Sequence, residues 1–391
     1  MRRTLVPSSI LAAALLASVP AAADPFDLAL NRLSFYDRTP DPSPTRDYQF
    51  VGGCGTSPDY HQCQADHSMF ANLVNQLGGA LAPALMAPAR TLGYNGLYFA
   101  YEHSISGING DASYWRRGTE GTQRDRMNTN NPTTVVRDTV PNQLFVSRLH
   151  VRKSFPYGFE LGMQGSWLHE STIVALGLDI RWAPFEGFHT GIGYLPDFAV
   201  RGAVNTVVGQ QQLYLTMVSV DGSFSKQIGI AGAFTLTPFI GGQALWIFGD
   251  STVIDGTPLR SSYRECPRRH VEFQRNPMTN ALEGSTLVCD VVAAPMGGGD
   301  DSRNDMVFTA ARILRGRMFG GMRFRYGLLA ITAEFGMDLI APSFSSEPDS
   351  AGSPLGRPIV PTPASGPDRQ RITLDDYRQW TISFGAGLSF H

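Results

Sequence analysis

Read by twos, the last residues of the chain separate into two faces. Trp380, Ile382, Phe384, Ala386, Leu388 and Phe390 fall on one, and Thr381, Ser383, Gly385, Gly387 and Ser389 on the other. Strand side chains alternate sides, so this is a strand with one apolar and one small polar face. The same period recurs upstream. Leu97, Phe99 and Tyr101 oppose Ala100 and Glu102, and Phe145, Leu149 and Val151 oppose Arg148, His150 and Arg152. Phe159, Leu161, Met163 and Trp167 oppose Glu160 and Gln164, and Val174 to Trp182 places Asp179 and Arg181 opposite Leu176, Leu178 and Ile180. Further strands follow at 197–207 (Arg201 and Asn205 inward), 212–224, 231–248, 318–326 (Arg323 and Arg325) and 331–339 (Glu334 and Asp338). Apolar residues on one face and polar ones on the other suit lipid outside and a lumen inside. A soluble sandwich would instead carry its charges on the outer faces.

The stretches between strands add a direction. Residues 104–141, 249–304 and 342–375 are long and polar, whereas Pro156-Tyr157-Gly158, Ser225-Lys226-Gln227 and Gly327-Leu328 are tight turns. Bacterial barrels put short turns in the periplasm and long loops outside, with an even strand count. Ten antiparallel strands satisfy that parity when 306–317 is assigned to the loop. Twelve satisfy it if 187–195 hides a strand and 231–248 splits at Pro238, where a bulge or a switch of pairing is expected.

The N-terminus sets the compartment. Met1-Arg2-Arg3, an apolar stretch from Leu5 to Val19 and Ala21-Ala22-Ala23 form a secretory signal peptide, giving boundaries of 1–23, 24–93 and 94–391. Beyond it no run reaches the roughly eighteen apolar residues of a spanning helix. In 24–93, apolar residues at 69, 70, 73, 74 and 77 are helically spaced, although Gly78 and Gly79 weaken the pattern. This segment either packs on the periplasmic rim, the favoured placement, or plugs the lumen. Cys54–Cys63 and Cys266–Cys289 are the simplest of three disulfide pairings for an exported chain, and Cys54, His61, Cys63 and His67 form an alternative zinc set. Two of the 32 basic residues leave with the leader and 34 acidic ones remain, so nucleic acid is not an expected partner.

Together, the leader, the dispersed apolar residues and the terminal strand (Trp380, Phe384, Leu388 and the penultimate Phe390) resemble those of Gram-negative outer-membrane β-barrel proteins. The resemblance implies an outer-membrane location, surrounding lipid, and recognition of the last strand by the barrel assembly machinery. Within that class the chain looks porin-like, implying a passive channel for small hydrophilic solutes. The lumen candidates are Arg148, His150, Arg152, Glu160, Asp179, Arg181, Arg201, Arg323, Arg325, Glu334 and Asp338. They read either as an Arg-lined constriction for anions or as a salt-bridged lumen, with Arg323 and Arg325 facing the strand that bears Glu334 and Asp338, and Arg148 and Arg152 facing the strand that bears Glu160. The alternative function is structural or adhesive, through the long loops and Trp115-Arg116-Arg117. An enzyme is not expected, and neither is a cofactor or catalytic metal. His169, Glu170, Asp250 and Asp255 sit at the rim without forming an omptin-like constellation, and a Ser/His hydrolase would need a strand-placed pair that the sequence does not mark.

Overall fold

A computed structural model describes residues 24–36, 63–120, 126–128, 131–136, 140–184, 196–230, 234–255, 269–275, 282–289, 305–344 and 372–390. Residues 1–23, Cys54, His61, Cys266 and 187–195 lie outside these, and with them the signal-peptide, disulfide and zinc expectations.

Ten strands close into one antiparallel barrel: β1 (Leu97–Gly107), β2 (Gln143–Ser154), β3 (Phe159–Leu168), β4 (Val174–Trp182), β5 (Asp197–Val208), β6 (Leu213–Ser225), β7 (Phe234–Ser251), β8 (Ala311–Tyr326), β9 (Leu329–Phe344) and β10 (Trp380–Phe390). Each pairs with its sequence neighbour, and β10 returns to β1 through Phe390↔Leu97 to Thr381↔Ser106. No free edge remains, so every wall strand has hydrogen-bonding neighbours on both sides. Among the described residues, no helix is long and apolar enough to cross a membrane.

The strand faces follow the sequence period. The outward residues form a belt in which Leu149, Met163, Leu178, Ile240 and Ile331 are all exposed. An apolar band of this extent around a whole barrel matches bilayer hydrocarbon rather than water. Along β4, and along β10 from Ser383 onward, buried polar or small inward residues alternate with exposed apolar ones.

Three expectations change. The twelve-strand count fails at both places, because β4 pairs directly with β5 and β7 runs unbroken through Pro238. Pro238 causes no bulge against β8, where it sits opposite Met322. It does mark a switch of pairing. On its other side the partner changes from β6 (Ser225↔Phe239) to Ile228–Ile230 (Ile228↔Leu236), so the missing N–H falls where the ladder is already interrupted. Residues 311–317 are strand rather than loop and extend β8 upward. Ile313 and Arg315 both point inward there against the N-terminal segment, with Leu314 outward, so apolar residues on both faces hide the period of two.

The third change concerns the N-terminal segment. Helix α1 (His67–Ala80) starts at Asp66, whose carboxylate accepts from the Met69 N–H at 3.0 Å. It does not pack on a short-turn rim. It lies inside the barrel at the end where the three long connections gather, and residues 81–92 continue through the lumen to the short-turn end. Gly78 and Gly79, which weaken the helical pattern, are where α1 meets the wall. A Cβ on Gly78 would sit 2.5 Å from Ile247 Cγ2. From the other side, a Cβ on Gly249 of β7 would sit 2.4 Å from Val74 Cγ1. Gly249→Val should therefore unseat α1 even though valine favours strands, at an overpacking cost of about 1–3 kcal/mol. Faster protease cleavage within 63–93, with the barrel core still resistant, is the expected result.

Candidate functional site

The lumen is built from inward positions of nearly every strand, and their partners lie in two shells. Oppositely charged residues placed directly across neighbouring strands pair first. Glu102 stands opposite Arg148 (3.4 Å), Arg201 opposite Asp221 (2.6 Å) and Arg317 opposite Asp338 (3.2 Å), while Glu160 bonds its opposite number Arg181. His150 bridges Glu102 (3.2 Å) and Asp179 (2.9 Å). Arg315 reaches Asp338 as well. All of these lie deep in the barrel, where an ion left alone would be very costly and a partner is required.

The second shell is the backbone of 81–92. The Arg201 guanidinium donates to the Pro83 and Ala84 carbonyls (3.0 and 2.8 Å), Arg148 to Ala82 (3.2 Å), Arg323 to Met86 (2.7 Å) and Arg181 to Pro88 (2.7 Å). Asn205 and Gln243 donate to Leu81 and Pro83, both at 3.0 Å. Going the other way, Glu334 accepts from the Met86 N–H and Glu160 from the Leu92 N–H, both at 2.8 Å. An extended segment has no internal partners for its N–H and C=O groups, and the wall side chains supply them. Arg152 and Arg323 both lie over the Tyr98 ring, at 4.5 and 5.1 Å. Between this segment and the wall a cavity of about 30 Å³ is lined by Ala82, Pro83, Arg148, Gln243, Arg317 and Glu334.

Of the sequence candidates, Arg148, His150, Arg152, Glu160, Asp179, Arg181, Arg201, Arg323, Glu334 and Asp338 are all inward and buried. Arg325 shares their face but sits at the short-turn rim, donating to the Gly327 carbonyl (3.2 Å). The strands that bear them are neighbours as expected, and the register then gives Asp338 to Arg315 and Arg317, and Glu160 to Arg181. Asp221, Arg315, Arg317 and Gln243 belong to the network although the sequence did not single them out. Counting register outward from the tight turns would have found the directly opposed pairs.

At the long-loop end the helix is roofed. The Gln76 side chain accepts from Trp115 Nε1 (2.7 Å) and the Asn109 N–H (3.0 Å), and donates to the Tyr114 hydroxyl (2.6 Å). Tyr114 and Trp115 lie on the short helix α2 (Ser113–Gly118). Burial and the Asp375 carboxylate, 3.0 Å away, hold the Tyr114 phenol well above its ordinary pKa, so it stays a neutral donor. Trp115 is buried edge-on to Phe26 rather than displayed to a partner. Residues 24–36 join the same roof, with the Phe26 N–H on the Glu170 carbonyl and Asp27 on Thr172.

Among the described side chains, the rim residues His169, Glu170 and Asp250 form no cluster of their own. Asp250 turns to the Ser251 N–H (2.9 Å). His169 meets a residue that sequence reasoning missed: its Nε2 lies 2.7 Å from Ser147 Oγ on the outward face of β2. No family model matches the chain, and no curated relative matches it. Its structural neighbours are Gram-negative outer-membrane β-barrel proteins. They include Ail, the attachment invasion locus protein of Yersinia pestis, at 8% identity over 76% of this chain and 99% of Ail (TM-score 0.24). The KdgM porin is 9% identical over 75% of this chain and 99% of its own (TM-score 0.24), and Neisserial surface protein A 8% over 75% and 96% (TM-score 0.23). Likeness at this level places no residue of this chain against one of theirs, and the ten-strand closure rests on the register described above.

Proposed function

We propose that the chain is an outer-membrane barrel that is closed at rest by its own N-terminal segment, and that small hydrophilic solutes pass only when this segment is displaced. The observation that carries this reading is the capture of the 81–92 backbone by Arg148, Arg181, Arg201, Arg323, Glu160 and Glu334. A freely open pore would leave these side chains to water. Here the groups that would line a passage are engaged by the polypeptide that fills it. Around 81–92 the lumen is lined by charged side chains, so a displaced segment would leave a charged, water-accessible path there, as polar barrel interiors provide. Around α1 the wall is apolar, with Leu144, Val146, Leu215, Leu245, Ile247 and Ile313 packed on the helix. The exposed apolar belt supports the membrane location.

Planar bilayers provide the test. The intact protein should be electrically silent, and a variant lacking 63–92 should show discrete ion-conducting steps. Arg148→Ala in that deleted background should shift their ion selectivity. Steady conductance from the intact chain would sink the closed-barrel reading. Silence in both would favour a structural or binding role at the long-loop end, where 24–36, α1 and α2 are joined into one surface.

A further inference from the structure

Four polar side chains converge on the outward, lipid-facing side of the barrel, away from the lumen. Ser147 of β2 stands in register between His103 of β1 and Trp167 of β3. Its Oγ lies 2.7 Å from His169 Nε2, 3.1 Å from His103 Nδ1 and 2.9 Å from the Tyr101 hydroxyl. The His103 and His169 rings meet edge to face at 5.5 Å between centroids. A serine hydroxyl donates once and accepts twice. All three contacts are satisfied when Tyr101 O–H and His103 Nδ1–H donate to Oγ and the Ser147 proton is given to His169 Nε2. That is a nucleophile hydrogen-bonded to a base, with two further donors beside it that would be free to turn to an ester carbonyl once Oγ is engaged in bonding to carbon.

The position supports the chemistry. Leu149 and Val151 continue the apolar belt below Ser147, while Trp167, Tyr101 and Phe145 surround it near the long-loop end. Aromatic girdles of this kind mark the boundary between hydrocarbon and headgroups, and the acyl ester bonds of membrane lipids lie at that depth. Polar and ionisable groups facing lipid are costly and are retained mainly where they act. A girdle residue anchoring the barrel needs one polar tip in the interface, whereas here four polar groups turn onto one another.

We infer that Ser147 and His169 form an acyl-ester hydrolase site for membrane lipids on the outer face of the barrel. Ser147 Oγ attacks the ester carbonyl carbon, and its proton passes to His169 Nε2. The bond to the alcohol oxygen then breaks, and His169 returns the proton to that leaving oxygen. Water attacks the acyl-serine, His169 takes its proton and passes it to Oγ, and a fatty acid is released. Tyr101 and His103 lie where they can donate to the carbonyl oxygen. Ser147 itself is covered, and the half-exposed Tyr101 ring, tilted against Trp167, is the group that must turn aside to admit an ester.

The test uses the full chain in phospholipid–detergent micelles, following fatty-acid release and labelling by a fluorophosphonate located by mass spectrometry. Fatty-acid release and an adduct on Ser147 are expected, with both lost in Ser147→Ala. His169→Ala should slow release by about 10²–10⁴-fold, the usual range for a general base. Heat-modifiable gel mobility checks that each variant remains folded, and an unfolded His169→Ala is replaced by His169→Gln. Release that persists in folded Ser147→Ala, or no release and no adduct with the intact chain, overturns the assignment. The site does not depend on the closed lumen, so conductance and hydrolysis can fail separately.

Discussion

Arg201→Ala combined with Arg323→Ala is expected to turn a silent barrel into one that conducts intermittently. Arg201 holds two carbonyls of the lumen segment, at Pro83 and Ala84, and Arg323 holds a third at Met86. The double change frees all three while leaving the strands intact. It also leaves the Asp221 carboxylate buried without the guanidinium that neutralises it, since Arg201 is its bonded partner. Removing one member of a buried ion pair costs about 3–5 kcal/mol, mostly through the charge left behind. Two readouts should therefore move together. Brief openings should appear in planar bilayers, and the folded, fast-migrating band on gels should convert to the unfolded one at lower temperature. Adding Asp221→Asn removes the stranded charge but does not restore the carbonyl ties. It should recover much of the stability while the openings persist. Restored silence in the triple variant would show that the segment is held by something other than these arginines.

Phe390→Asp should have an effect of similar size on assembly rather than on opening. Phe390 is outward, stacks edge-on against Phe99 at 6.4 Å and pairs with Leu97 at the seam where β10 meets β1. Aspartate there puts a carboxylate on the lipid face and removes the aromatic contact across the closing pair. The same strand is the expected assembly signal. Loss of the heat-modifiable form, and of the protein from outer-membrane fractions, is expected. Normal outer-membrane levels would count against the role given to this strand. Phe384→Leu, which keeps an apolar group on the same face, should be tolerated.

Strand faces were legible because period two depends only on local alternation, and lipid on one side makes that alternation sharp. Every inward charge chosen in the sequence is on the lumen side. The pairings were not legible, because adjacency of strands does not fix their register. Glu160 faces Arg181 across the β3–β4 pair, and that follows only once the turn geometry is known. Ile313 and Arg315 obscured the top of β8 because the face they point to is occupied by α1. Gly78 and Gly79 lowered the helical signal for the same reason, since propensity counts a missing side chain as a loss and close packing uses it. The Ser147–His169 pair stayed hidden because the two residues lie far apart in sequence, and a hydroxyl turned toward lipid has no mark of its own in a strand pattern.

The course of the N-terminal segment has a consequence for the order of biogenesis. Residues 24–36 and α1 sit at the long-loop end, whereas β1 begins at the short-turn end, beside Phe390. The polypeptide therefore passes once through a ring formed by its own later residues. Such a ring can be made in two ways. The wall can curl around a strand of chain already in place and be sealed last by β10, or the free N-terminal end can be drawn through a finished hoop. The first route needs only that the final strand arrive late, which is the order in which it leaves the ribosome. On that route the segment acts as a mandrel for the barrel, and the arginines that grip it would set the wall's curvature before the seam exists.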